Sequence, residues 1–177
     1  MWKAAKSYVK LMNRISKITG EFSMFLVMAL MGVLVFESVI RTVFNQPHIW
    51  AVEISAFIMT AQYLIGGGYS LILRGHVRMD LFYHRLSERG QAIADVITFF
   101  PFTLFYLGLL LLGGFKGIQY ALKFHQKSYT AWAPPMAPIK IIMVTGIVIM
   151  LLQSIAELIK LSLIHISEPT RPLYISY

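Results

Sequence analysis

Three ionisable residues sit at the ends of long apolar runs: Glu37, Arg41 and Glu53. A charge in such a place costs about 3 kcal/mol at the centre of a bilayer, so it is kept for a purpose. Glu37 and Arg41 are four residues apart, which puts them on one face of a helix, with the acid first, the better order. Glu53 opens the next apolar run on the same side, so the three could form one charged cluster. Two chemistries fit. Glu37 could be the proton-coupled carboxylate of a small, self-sufficient homodimeric exporter. Alternatively the cluster clamps the first hairpin and presents a docking edge, with Arg41 snorkelling outward. The clamp asks less of the sequence. Haem ligation is disfavoured, because a bis-histidine site needs histidines within facing spans. Here His48, His76, His84 and His125 fall in connections and His165 in the tail. His76 and Asp80 are four apart but one ligand short of a metal triad, and a surface hydrogen bond suits them better. With no cysteine there is no thiolate zinc site, disulfide or CxxC. No phosphate loop, nucleophile elbow or triad pattern occurs, so neither an enzyme nor a cofactor is expected.

The elements that would position these residues follow from composition. The chain has 177 residues, 57% hydrophobic and 14% charged, with mean hydropathy +0.66. A soluble domain carries about 25% charged residues. The formal net charge is +8, but the bases lie between apolar runs rather than on one polar face, which argues against nucleic acid. An all-α integral membrane protein remains. A span needs about 20 apolar residues, and four are found, at about 22–44, 51–73, 93–115 and 139–159. They form one domain over residues 1–160. Pro101 predicts a kink in span three, and Pro138 suits the first turn of span four. Gly66-Gly67-Gly68 and Gly113-x-x-x-Gly117 read as sites of close helix packing.

Before span one, Lys3, Lys6, Lys10, Arg14 and Lys17 interleave with apolar residues, an amphipathic lead-in suited to a membrane surface. The second connection holds Arg74, Arg78, Arg85 and Arg89, and its stretch from Arg78 to Arg89 predicts a short interfacial helix. The first connection has no base, and the third has Lys116, Lys123 and Lys127, which weaken the contrast without reversing it. The positive-inside rule therefore places both termini and the second connection in the cytoplasm. Leu161 to Arg171, LSLIHISEPTR, reads in one frame as the translation of a sequencing-library adapter. Leu161 to Tyr177 is accordingly set apart as an artefact tail.

The remaining motifs, in order, are Arg41-Thr-Val-Phe-Asn45, Trp50-x-x-Glu53, the triple glycine and Arg74-Gly-His76-Val-Arg-Met-Asp80. Last comes Ser128-x-x-x-Trp132-x-Pro134-Pro135-x-x-Pro138-Ile-Lys140, leading into span four. This arrangement resembles the small membrane subunit, DctQ type, of tripartite ATP-independent periplasmic (TRAP) transporters, over roughly Gly20 to Lys160. The resemblance implies a bacterial inner-membrane protein in a three-part, sodium-coupled organic-acid uptake system. Its expected partners are a large multi-span permease subunit, a periplasmic substrate-binding protein and lipid. On this reading Glu37, Arg41, Asn45, Trp50, Glu53, Arg74, His76, Asp80, Trp132, Pro134, Pro135 and Pro138 serve structure or partner contact. Many relatives have two adjacent acids after the tryptophan, whereas here Val52 precedes Glu53.

Overall fold

The computed structural model describes residues 2–73 and 100–167. Among them lie four helices: α1 (Trp2–Phe44), α2 (Ile49–Ile72), α3 (Phe100–Lys123) and α4 (Ala137–Ser167). Each is long and apolar enough to cross a membrane. Arg74, His76, Asp80, the expected interfacial helix and the expected start of span three lie outside the described residues.

Helices α1, α2 and α4 pack on one another, while α3 packs chiefly on α4. The fully buried positions are mostly small: Ser16, Ala51, Ala121, Ser154 and Ala156, with Leu107 and Gln153 the larger exceptions. In lipid the tails are as apolar as leucine, so close packing of small residues holds helices together. The broad outer faces of α1 and α3 leave Phe25, Met28, Phe102 and Phe105 exposed. In water that surface would be a liability, but against acyl chains it is the ordinary outside of a spanning bundle.

The triple glycine packs as expected, and on two helices at once. A Cβ on Gly66 would lie 2.7 Å from Ser23 Oγ, and one on Gly67 3.0 Å from Met150 Sδ. The pair Gly113 and Gly117 is not the tight contact on α3. A Cβ on Gly113 would meet nothing within 4 Å, whereas one on Gly114 would lie 2.6 Å from Val144. The reason is register: Leu107, Gly114 and Ala121 recur every seven residues, the repeat that keeps one face toward a neighbouring helix. Among the described glycines, Gly146 alone meets backbone: a Cβ there would lie 2.8 Å from the carbonyl carbon of Leu64. Backbone cannot swing aside as a side chain can. Gly146→Ala should therefore push α2 from α4 and cost about 1–3 kcal/mol, lowering the thermal midpoint in detergent. Gly113→Ala should leave it unchanged or raise it, since alanine is the better helix former. Equal midpoints for the two variants would contradict this packing.

Three boundaries differ from the sequence reading. Spacing separates a lead-in from span one near Phe22, but α1 runs unbroken over 43 residues. Helical propensity continues through Lys, Met, Arg and Ile, and no glycine or proline cluster intervenes. At about 1.5 Å per residue α1 is roughly 64 Å long, about twice the hydrocarbon thickness. Spacing also ends span three at Phe115, yet α3 continues for about two more turns, to Lys123. Lys116 ends the apolar run but does not end a helix. Helix α4 likewise continues to Ser167.

Candidate functional site

At the turn between α1 and α2 the chain reverses in four residues. Phe44 ends α1, and Asn45 takes φ 53°, the left-handed conformation that asparagine tolerates better than most residues at a helix end. His48 then starts α2 from an extended backbone, φ −105° and ψ 115°, with no cap from its own side chain. Glu37 satisfies the N–H of His48 itself. Its Oε1 and Oε2 accept the His48 backbone N–H at 3.2 and 3.3 Å, and Oε1 also accepts from Arg41 Nη2 at 3.2 Å. Glu37 is 7% exposed and the Arg41 side chain 57% exposed. The buried acid is thus held by one backbone N–H and by Arg41, and the base is the solvated end of the pair. His48 Nδ1 lies 3.6 Å from Glu37 Oε2, too far for a hydrogen bond. Phe36, His48 and Trp50 gather around this turn with ring centroids 5.8–6.4 Å apart, an arrangement that adds packing between tilted rings.

Glu53 does not join that cluster. Its Oε1 accepts from Ser128 Oγ at 2.6 Å and from Thr130 Oγ1, both in the segment between α3 and α4. Among the described residues no ion pair links it to Arg41. One turn into α2, Glu53 faces that segment rather than α1, and its Oε2 is buried without a partner there. The segment is ordered by its own backbone. Helix α3 ends with the Gln126 N–H bonded to Ala121 C=O, across His125 at φ 46°, a closing turn usually made with glycine. Lys127 and Pro135 form a bridge, the Ser128 N–H donates to Pro134 C=O and the Met136 N–H to Gln126 C=O. Lys140 Nζ donates to Gln126 Oε1 at 2.6 Å and to Gly117 C=O at 3.3 Å. Pro134 is buried, Trp132 and Pro135 are exposed, and Pro138 stands in the first turn of α4 as expected.

A third polar group lies at the other end of the bundle. Gln153 is fully buried, and its Oε1 accepts from Ser16 Oγ at 2.9 Å. Its Nε2 donates to Asn13 Oδ1 at 2.9 Å and to Glu157 Oε1 at 3.4 Å. Tyr8 Oη donates to Leu152 C=O at 3.1 Å. Apart from the bond to Glu157, which stays within α4, these bonds tie the first half of α1 to α4. The sequence signal was present but easily passed over: Gln153-Ser154 interrupts an otherwise apolar run, and Asn13 and Ser16 are three apart, on one side of α1.

Of the residues expected to serve structure or partner contact, Glu37, Arg41, Asn45 and Trp50 come together at the first turn. Glu53, Pro134 and Pro138 belong to the α3–α4 connection, with Trp132 and Pro135 on its exposed side. The arrangement is one of clamps, in which carboxylates and an amide satisfy backbone and hydroxyl donors between elements. The family model for "Tripartite ATP-independent periplasmic transporters, DctQ component" matches residues 8–163. No curated protein matches the chain.

Proposed function

This chain belongs to the DctQ component family of TRAP transporters, and we propose that it is a non-catalytic small permease subunit that braces the large membrane subunit. In this role it also helps dock the periplasmic binding protein of a sodium-coupled carboxylate uptake system. The observation that carries the reading, beyond family membership, is the state of Glu37. Both its oxygens serve a helix start at a chain turn, and a proton-coupling carboxylate would need to be free to load and unload. The unbroken course of all four helices over the described residues agrees. Substrate sites in secondary transporters are typically built on interrupted helices. The exposed apolar faces of α1 and α3 offer the area against which a large subunit can pack.

The test is co-purification with the large permease subunit after joint expression. The full chain should retain it, and so should a chain ending at Lys160, because residues 161–177 lie outside the proposed functional unit. Loss of the large subunit from the shortened chain alone would return the tail to the fold. Failure of both chains to retain it would contradict the brace.

Orientation is proposed from the Lys and Arg distribution, with both termini in the cytoplasm of a bacterial inner membrane. The absence of cysteine makes the check simple. Single cysteines at the exposed positions Gln46 and Tyr129 should react with an impermeant maleimide added to intact spheroplasts, and one at Ser7 should react only after lysis. The reverse pattern would invert the topology.

A further inference from the structure

Lys10, Arg14 and Lys17 are exposed on α1. Successive steps of about 100° place them within about 60° of one another around the helix. Lys3 and Lys6 take register positions on the same face, and all five fall within about 80°. The opposite face of these turns is the packed one, carrying buried Met12 and Ser16, and so the stripe points away from the bundle. Leu11 and Ile18, 54% and 57% exposed, flank it.

The level of the stripe follows from contacts with α2. Gly68 lies beside Ser16, where a Cβ would come within 3.2 Å of its hydroxyl, and Gly20 lies against Tyr69. The two helices run antiparallel, and α2 ends at Ile72, about one turn past Gly68. Helix α2 therefore stops level with the stripe, just before the basic run that begins at Arg74. In the sequence, this switch from apolar to basic residues is the mark of a membrane interface. Among the described residues, Glu21 lies 3.9 Å from Lys17 and is also exposed, and α4 carries the Glu157–Lys160 pair.

We infer that Lys10, Arg14 and Lys17 form a binding site for anionic phospholipid, the bases taking the headgroup phosphate while acyl chain lies along Leu11 and Ile18. A row of bases at the interface beside an exposed apolar flank matches both halves of a lipid. An acidic protein segment would use only the bases. The inference does not depend on the partner subunit or on the orientation of the chain.

A single base near an anionic surface contributes roughly fivefold to binding. The probe is short-chain phosphatidylglycerol added to the purified full chain in neutral detergent, with occupancy read by native mass spectrometry and by the thermal midpoint. Lys10→Gln/Arg14→Gln/Lys17→Gln should weaken binding at least about tenfold. Charge-conserving Lys10→Arg/Lys17→Arg should keep it. The control Lys116→Gln/Lys123→Gln/Lys127→Gln, at the far end, should leave it unchanged. Phosphatidylcholine should bind weakly to every form, and inorganic phosphate should not compete. The inference is overturned if the first triple variant holds phosphatidylglycerol as the parent does, or if both triple variants lose it equally. Full competition by inorganic phosphate would mark a free-anion site instead. Loss of the large subunit from the first triple variant in phosphatidylcholine nanodiscs would mark a protein contact instead.

Discussion

Glu37→Leu should destabilise the first hairpin by about 2–3 kcal/mol, the largest effect expected from any residue at that turn. The leucine keeps the bulk but removes the acceptor of the His48 backbone N–H, and a hydrogen bond to a charged group contributes about 1.5–3 kcal/mol. The Arg41 pair adds little, because its side chain is 57% exposed and screened ion pairs contribute at most about 1 kcal/mol. Glu37→Gln should be milder, since an amide oxygen can still accept from His48. Arg41→Ala should be milder still. Without Arg41 the carboxylate still accepts the His48 backbone N–H. The check is the thermal midpoint of the purified protein together with protease cleavage at residues 45–48. A leucine variant as stable as the glutamine variant would show that the His48 contact contributes nothing.

Gln153→Leu should release the first half of α1 from α4. Three hydrogen bonds go, to Ser16, Asn13 and Glu157. Bonds between helices in membranes average roughly 0.6 kcal/mol and reach about 1.7. The two that join helices sum to about 1.2 kcal/mol, with a further cost for leaving the buried Ser16 hydroxyl unpaired. The double variant Ser16→Ala/Gln153→Leu should therefore cost less than the two single changes added together, the sign of a shared contact. Hydrogen exchange reads it directly: amides of residues 8–16 should lose protection in Gln153→Leu, while those of α2 should not. Unchanged protection there would mean that α1 is held by its apolar contacts alone.

Most of the fold was legible because membrane helices announce themselves by length and hydropathy. Ile49–Ile72 lies within two residues of the span expected at 51–73. The clamps were legible only in part. Glu37 and Arg41 stand out by their spacing within one helix, which is local information. The partner of Glu53 is Ser128, more than seventy residues away, and no local pattern could have paired them. The same holds for Gln153 and Ser16, joined across the bundle. The unbroken α1 was obscured for another reason. Hydropathy marks where an apolar run begins, and a helix carrying bases on one face continues through that point.

The central claim is that this chain braces a transporter and does not itself transport. The direct measurement is uptake of the carboxylate assigned by the proposed function, under the sodium gradient proposed to drive it and with a periplasmic binding protein added. It is made in proteoliposomes holding this chain alone and in others holding it with the large subunit. The account predicts uptake only with both subunits, and uptake that falls in step with assembly in Glu37→Leu. Uptake by this chain alone, abolished by Glu37→Gln while the protein stays folded, would contradict it.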